Sequence, residues 1–526
     1  MNKLLILLFS LMPFGLLAQK KADILILNGK IIDGTGNPWF YGDLAIRKGK
    51  ISAIGNLKNL KARQIIDAQK QVIAPGFIDV HTHIEGDEKK NPIAENFIRD
   101  GVTTVITGNC GSSNVDVNDY FRMLDSLKLS VNVATFIGHN DVREFVMGTA
   151  SREPNDKELS QMEALVSRAM KAGAVGLSTG LIYIPGTYAK TDEVIALAKI
   201  ASKYQGTYTS HIRSESQHVF EAIDEALDVG RQANMPVQIS HFKIGKPFWG
   251  QSDKTLSMIK KARDDGYDVT IDQYPYTASS TTLNSIIPSW ALENDSIKYR
   301  INNLEIRKRM VDEMISDLGK RQRTSFDYAT VSNFRGDTSL NGKNISEINM
   351  LFGRKATIAD EIETILDLTE KGGASMVFHS MSEVDVENIM RYPFTMIASD
   401  SGIREYGSGV PHPRGYGTNA RVLARYVREK KVIHLEDAIR RMTSLPAQKF
   451  GFKNRGLLRE GMSADIIIFD SETVNDHSTY EKPHAYSTGI HYVIVNGKLT
   501  LKQMQHTGVR NGEILHGPSF TTHKHD

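Results

Sequence analysis

Two histidines close a short apolar segment near the start of the chain. Residues 77–83 have the sequence FIDVHTH, so His81 and His83 stand two positions apart at its end. Residues i and i+2 of a strand point to the same face, so we expect both imidazoles to project together, with Asp79 on the same side. Paired imidazoles beside a carboxylate are typical ligands of a divalent metal of the zinc class. The motif alone is weak evidence, because strand-end histidines are often only hydrogen-bonded.

Further metal-binding side chains follow other apolar, strand-like segments. They are Cys110, His211, His241 and Asp400. Six residues of this kind after successive strands favour one metal centre over six separate hydrogen-bonding residues. The chain has one cysteine, which excludes an internal disulfide, and we interpret its thiolate as a metal ligand rather than as a small buried side chain.

The elements that must position these residues are strands that alternate with amphipathic helices over residues 74–453. Nine candidate strands end at His83, Cys110, His139, Gly180, His211, His241, Tyr274, His379 and Asp400. The alternation predicts an α/β fold, a (β/α)8 TIM-like barrel, which gathers catalytic groups at the C-terminal ends of its strands. One candidate is surplus, and the one that ends at His379 is the weakest. We expect an insertion at about residues 284–349, where no barrel strand is recognisable.

Both ends of the chain are rich in strand-like runs. Asn28-Gly29 and Asn496-Gly497 each separate two such runs, which is the pattern of a tight β-hairpin. Residues 19–73 and 454–510 are therefore predicted to form one small β-sandwich domain from both termini. Residues 511–526 are predicted to be a tail that is disordered at its end.

Residues 1–18 have the features of a secretory signal peptide: Lys3, a short apolar run and the small residue Ala18. The run is too short and too interrupted for a membrane span. We therefore predict a periplasmic or secreted protein without a stable membrane anchor, with an uncleaved anchor as the alternative. The net charge of +3 is small for 526 residues and gives no support to a nucleic-acid partner. The oligomeric state stays open.

The sequence resembles the amidohydrolase superfamily and, within it, the D-aminoacylase (N-acyl-D-amino-acid deacylase) family. The resemblance covers nearly the whole mature chain and is carried by GFIDVHTH at 76–83, GVTT and GNCG between 101 and 111, SHIR at 210–213, SHFK at 240–243, SDSG at 399–402 and HPR at 412–414. The HxH motif is shared by the superfamily, whereas the cysteine of GNCG discriminates the family. Hydantoinase-like relatives use a carboxylated lysine at the end of strand 4, and here that strand ends in LSTG at 177–180.

The resemblance implies two metal positions. A tight zinc would be held by Cys110, His211 and His241, and a weaker second site would be formed by His81, His83 and Asp400. The implied reaction is hydrolysis of the amide bond of N-acyl-D-amino acids, which releases a carboxylate and a D-amino acid. Zinc polarises an amide carbonyl and lowers the pKa of bound water toward about 7. Asp400 is the expected general base.

A small-molecule substrate of this kind carries a free α-carboxylate, which requires a cationic partner. Arg414 offers a planar fork suited to a carboxylate, and Lys243 follows His241 by two positions. By resemblance, Lys243 and Arg414 bind this carboxylate, and Tyr183, Tyr274 and Ser280 line the site.

Three other functions stay open at this point. An L-Xaa-D-Xaa dipeptidase is a near neighbour, because its scissile bond also acylates a D-amino acid. A cyclic-amide hydrolase is a weaker alternative, since the strand-4 lysine is missing. A non-catalytic relative that kept the fold as a binding protein is disfavoured by the complete set of six metal ligands.

Overall fold

The computed structural model describes residues 21–521, so the predicted signal peptide at residues 1–18 lies outside the described part of the chain. Five strands open it: β1 (Ala22–Ile31), β2 (Phe40–Arg47), β3 (Lys50–Gly55), β4 (Ala62–Asp67) and β5 (Val72–Pro75). None of the helices among residues 21–521 combines the length and the apolar character that a membrane span requires.

The barrel begins directly after β5. Its first strands are β6 (Phe77–Asp79), β7 (Val102–Thr107), β8 (Asn132–Thr135), β9 (Ile137–Gly138), β10 (Gly176–Gly180), β11 (Thr207–His211), β12 (Val237–Ile239) and β13 (Val269–Gln273). The helices between them are α1 (Asp87–Lys90), α2 (Glu95–Arg99), α3 (Val117–Leu127), α4 (His139–Met147), α5 (Asp156–Ala172), α6 (Thr191–Ser202), α7 (Val219–Ala233) and α8 (Ser252–Asp264). Short 3₁₀ turns lie at Gly186–Tyr188 and Lys246–Phe248.

An excursion follows β13. It contains β14 (Ser279–Thr282), α9 (Ser289–Leu292), α10 (Ile297–Asn302), α11 (Leu304–Lys320), β15 (Ala329–Asn333), α12 (Ile345–Leu351), α13 (Ile358–Glu370) and β16 (Ser375–Phe378), with 3₁₀ turns at Leu283–Ile286, Glu293–Asp295 and Thr338–Leu340. Strands β14, β16 and β15 form a separate antiparallel sheet. The excursion has its own apolar core, to which Met310, Met314 and Ile362 belong. The candidate strand that ends at His379 is therefore part of this sheet and not of the barrel.

The chain then completes the barrel and returns to the first domain. The remaining elements are α14 (Glu383–Arg391), β17 (Thr395–Ile397), α15 (Arg414–Arg421), a π-helix (Val422–Glu429), α16 (Leu435–Met442), α17 (Ser444–Lys449), β18 (Ile466–Phe469), β19 (Ile490–Val495), β20 (Lys498–Lys502) and β21 (Gln505–His506). The barrel strands pair in parallel in chain order, and β17 follows β13 directly. Backbone bonds from Asp400 N to His81 O (2.9 Å) and from His83 N to Ser401 O (3.0 Å) close the ring. With β8 and β9 sharing one position, the predicted eight-stranded barrel is confirmed.

The terminal strands form one nine-stranded sheet. Strand β5 pairs with β1 on one side and with β18 on the other, which joins the two ends of the chain. Ile26, Leu44 and Ile73 from the N-terminal strands share an apolar core with Ile466 and Ile494 from the C-terminal ones. The predicted β-domain built from both termini is thus present beside the barrel.

The segment after β21 lies against the barrel. The backbone N–H groups of Gly512, Leu515 and Gly517 donate to carbonyls of Leu129, Val133 and Gly173, respectively. These carbonyls precede or begin barrel strands, so the C-terminal segment packs at the barrel end opposite the predicted site. Residues 522–526, the end of the predicted tail, lie outside the described residues.

Helix α5 shows how local sequence builds the outer layer. Asn155 accepts a hydrogen bond from Glu158 N, and the Glu158 carboxylate accepts one from Asn155 N, which together form a capping box. The helix ends at Gly173, whose φ of 107° few other residues could adopt. Its buried positions are Met162, Leu165, Val166, Ala169 and Met170, the spacing of one apolar helical face.

Candidate metal centre and substrate cavity

Most of the predicted ligands stand just beyond the ends of their strands. His211 is the last residue of β11, whereas Cys110 lies three residues after β7 and Asp400 three residues after β17. Cys110, His241 and Asp400 have positive φ values of 52°, 36° and 50°. Such left-handed backbone is costly for residues other than glycine and concentrates at functional sites. Strand alternation therefore does not aim these three side chains inward; the turns after the strands do.

The six predicted ligands converge at the C-terminal mouth of the barrel. Cys110 is at the centre: its Sγ lies 3.3 Å from His81 Nε2, 3.6 Å from His211 Nδ1 and 3.6 Å from His241 Nε2. Cys110, His211 and His241 form one group whose ligand atoms all lie within 4.8 Å of one another. This is the group in which the sequence analysis expected the tight zinc.

The other predicted ligands lie next to this group. Asp400 Oδ1 is 3.2 Å from His83 Nε2 and 3.6 Å from His81 Nε2. His81 also belongs to ligand groups that contain Cys110 or His241. The thiol is therefore within reach of both expected metal positions.

Charges around the thiol and the carboxylate favour their ionised forms. Burial by itself would raise the pKa of Cys110, but His81 and hydrogen bonds from the two other imidazoles hold that pKa well below its ordinary range. Burial would likewise raise the pKa of Asp400, yet Arg414 and then His81 outweigh it and hold the pKa well below its usual value. Both groups are thus available as anionic ligands.

This donor set fits zinc. A sulfur and a nitrogen that share a tetrahedral zinc lie about 3.5 Å apart, given Zn–S of about 2.3 Å and Zn–N of about 2.0–2.1 Å. The observed distances from Cys110 Sγ to His211 Nδ1 and to His241 Nε2 are both 3.6 Å. One thiolate and two neutral imidazoles are also the ligand types that zinc prefers.

Two carboxylates that the sequence analysis missed lie behind the imidazoles. Asp272 Oδ1 is 3.5 Å from His81 Nδ1 and accepts a hydrogen bond from His241 N at 2.8 Å. Glu215 Oε1 is 3.0 Å from His241 Nδ1. Carboxylates in this position fix the tautomer and orientation of ligating histidines. Both lie near predicted site residues in the sequence, since Asp272 precedes Tyr274 by two residues and Glu215 follows His211 by four, but this spacing does not show which ring they face.

The ligands open into a cavity of about 810 Å³, which all five predicted substrate contacts line. Arg414 is buried: it is 4% exposed, its Nη1 is 2.8 Å from Asp400 Oδ2, and its guanidinium lies 4.5 Å from the centre of the Tyr274 ring. Its Nη2 also donates to the backbone carbonyl of Ser280 at 3.3 Å. A cation thus stands beside the metal ligands, where a substrate carboxylate could meet it.

Three of the other predicted contacts have polar partners within the protein, whereas the buried Tyr274 hydroxyl has no hydrogen-bond partner among the described residues. Lys243 Nζ is 2.6 Å from Glu215 Oε1. The Tyr183 hydroxyl accepts a hydrogen bond from Thr281 at 3.0 Å, and the Ser280 hydroxyl donates to Met376 O at 2.8 Å. Ser280 and Thr281 belong to β14, so the excursion after β13 forms one wall of the cavity. The Ser280 hydroxyl donates its proton within the excursion's own sheet and keeps its lone pairs as acceptors.

Comparisons with known proteins identify the family of the chain. Residues 64–501 match the model of the amidohydrolase family. The chain is 34% identical over 520 residues to an N-acyl-D-glutamate deacylase and 33% identical over 519 residues to a D-aminoacylase, both from Alcaligenes xylosoxydans xylosoxydans. Each alignment covers 94% of this chain and 97% of the relative.

A solved structure leads to the same group. The crystal structure of N-acyl-D-glutamate deacylase from Bordetella bronchiseptica, complexed with zinc and a phosphonate inhibitor that mimics the tetrahedral intermediate, superposes with a TM-score of 0.82 at 34% identity. The match covers 95% of this chain and 100% of that one. The chain therefore belongs to the amidohydrolase family, in the group that contains the D-aminoacylases.

Proposed function

We propose that the protein is a zinc-dependent hydrolase that cleaves the amide bond of N-acyl-D-amino acids and releases a carboxylate and a D-amino acid. The observation that carries this proposal is the position of Arg414 directly beside the convergent ligands, 2.8 Å from Asp400. A substrate carboxylate bound there would hold the neighbouring amide bond at the metal centre. The deacylase relatives, aligned over 94% of the chain, support the same reaction.

Zinc would be held by Cys110, His211 and His241, with a weaker second position at His81, His83 and Asp400. When bound, zinc polarises the amide carbonyl and lowers the pKa of water. The cavity supplies the rest from its own side chains.

Asp400 is the proposed general base. Its carboxylate is ionised, since its pKa lies well below the usual value, and Oδ1 faces the two histidines of the second position. In this role it takes a proton from the attacking water and later delivers it to the leaving amine nitrogen. Arg414, whose Nη1 lies 2.8 Å from Oδ2 of Asp400, keeps this carboxylate oriented before the substrate enters.

Arg414 and Lys243 are the proposed partners of the substrate α-carboxylate. Arg414 presents two donors in a plane, and Lys243 presents a single point charge. Both cations lie over the Tyr274 ring, at 4.5 Å and 5.7 Å from its centre. One carboxylate bound against Tyr274 would reach both.

A panel of paired substrates tests the reaction. The purified protein with one equivalent of zinc is assayed on N-acetyl-D- and N-acetyl-L-amino acids, L-D dipeptides and a cyclic amide. We expect hydrolysis of the N-acetyl-D series and loss of activity after chelation. Activity confined to the L series or to the cyclic amide would refute the proposed substrate. A preference for L-D dipeptides would instead identify a dipeptidase.

We further propose that the chain is exported to the periplasm or beyond. Lys3, the apolar run and Ala18 support this, because they have the order of a signal peptide. Expression of the full chain in a bacterium, followed by fractionation and N-terminal sequencing, should recover mature protein that begins at Gln19 in the periplasmic fraction. Recovery of uncleaved protein in the cytoplasm would contradict the proposal.

A further inference from the structure

Glu215 is a carboxylate of the site that neither the ligand set nor the expected substrate contacts include. It follows β11 by four residues and lines the cavity beside Lys243 and His241. Its side chain is 20% exposed. Glu215 thus lies between a proposed metal ligand, His241, and a proposed substrate contact, Lys243.

A single oxygen of Glu215 faces two imidazoles from behind. Oε1 lies 3.0 Å from Nδ1 of His241 and 3.8 Å from Nε2 of His211. In each ring the other nitrogen points to Cys110 Sγ, at 3.6 Å. The outer nitrogen of His211 is buried and has no hydrogen-bond partner among the described residues. The carboxylate therefore attracts the proton of each ring to its outer nitrogen and leaves the inner lone pairs free for a metal.

The same oxygen also holds Lys243. Its Nζ lies 2.6 Å from Glu215 Oε1 and 2.9 Å from His241 Nδ1. When His241 Nδ1 carries the ring proton, as metal binding through Nε2 requires, this N–H and the ammonium are both donors and cannot bond each other. Glu215 accepts from both and keeps the two donors side by side. The ammonium has three donors, and those not used by Glu215 are left for a ligand in the cavity.

We infer that Glu215 is a positioning residue that links the tight metal site to the binding of the substrate carboxylate. This inference rests on the proposed function. One negative charge orients His241 and His211 toward the metal and fixes the Lys243 ammonium next to it. Loss of that charge should therefore weaken zinc binding and substrate binding together, although Glu215 touches neither ligand.

The test compares Glu215→Gln with a matched control, Glu225→Gln. Gln keeps the size and one acceptor but removes the charge. Glu225 is a comparably shielded carboxylate, 13% exposed, that is paired with Arg213 at 2.9 Å, and it contacts none of the six proposed ligands. The zinc dissociation constant is measured by competition with a chromophoric chelator, without substrate, and kcat and KM are measured on zinc-loaded enzyme.

We expect Glu215→Gln to raise the zinc dissociation constant about 10- to 100-fold and to raise KM at least about tenfold with a smaller change in kcat. Glu225→Gln should change neither constant more than about threefold. A purely structural role of Glu215 would lower the unfolding temperature and leave both constants unchanged, which would overturn the inference. A shift in only one constant would also overturn it. The zinc dissociation constant is measured without substrate turnover. If the wild-type protein had no deacylase activity, the proposed function would be refuted, while the effect of Glu215 on zinc binding could still be measured.

Discussion

Replacement of Asp400 by Asn tests the proposed mechanism most directly. The amide keeps the size of the side chain and one oxygen near His83, but it cannot take up a proton. General-base catalysis contributes about 10²- to 10⁴-fold in rate, which corresponds to about 3–5 kcal/mol of barrier. The tight site of Cys110, His211 and His241 does not include Asp400. We therefore expect Asp400→Asn to retain one zinc per chain and to lose at least about 100-fold in kcat.

The same change also removes the partner of a buried cation. Arg414 is 4% exposed and pairs with Asp400 at 2.8 Å, and breaking such a pair costs about 3–5 kcal/mol. Stability must therefore be measured beside activity. The double variant Asp400→Asn, Arg414→Met should recover much of the lost stability, because it leaves no unpaired charge, while activity stays lost.

Zinc content by mass spectrometry, kcat on an N-acetyl-D-amino acid and thermal unfolding are measured on the same preparations. The control is Asp87→Asn, which removes a carboxylate from the same cavity wall but from none of the ligand groups; its kcat should stay within about threefold. A folded, zinc-containing Asp400→Asn enzyme with kcat within tenfold of the wild type would refute the role of Asp400 as general base. Loss of the tight zinc in Asp400→Asn would instead show that Asp400 contributes to the tight site.

Three further predictions follow from particular contacts. Cys110→Ser should lose tight zinc, because a hydroxyl is a far weaker ligand than a thiolate; a chelator competition that shows unchanged affinity would contradict this. Arg414→Lys keeps the charge but not the planar fork, so KM should rise at least about tenfold in steady-state kinetics; an unchanged KM would exclude Arg414 from carboxylate binding. Burial lowers the pKa of Lys449 from 10.5 to about 8. The unfolded chain then binds more protons between those values, so stability should rise by up to about 3 kcal/mol from pH 8 to 10.5. Lys449→Met should abolish that rise in denaturant titrations.

Much of the architecture could be read from local sequence, because barrel strands and helices alternate in clear apolar patterns. The exception is instructive. The segment that ends at His379 is as apolar as a barrel strand, yet it forms β16 of the excursion and pairs with β14 and β15. Apolar character shows that a strand is buried, but it does not show which of two sheets buries it.

The candidate site could be listed from the sequence, but its local geometry could not. All six proposed ligands converge, although Cys110 and Asp400 are aimed by left-handed turns rather than by strand alternation. Glu215 and Asp272 escaped notice because their roles depend on which ring nitrogen they face, and that is set by the packing of neighbouring strands. A carboxylate behind a histidine has no spacing of its own in the chain.

The sheet shared by the two chain ends has a consequence for biosynthesis. Strand β5 needs β18 as its antiparallel neighbour, and the segment at Gly512–Gly517, which contacts the barrel, is synthesised later still. The nascent chain therefore carries an unpaired apolar edge until translation is nearly complete, which exposes it to aggregation. Truncation before β18 should therefore yield insoluble protein rather than a smaller enzyme.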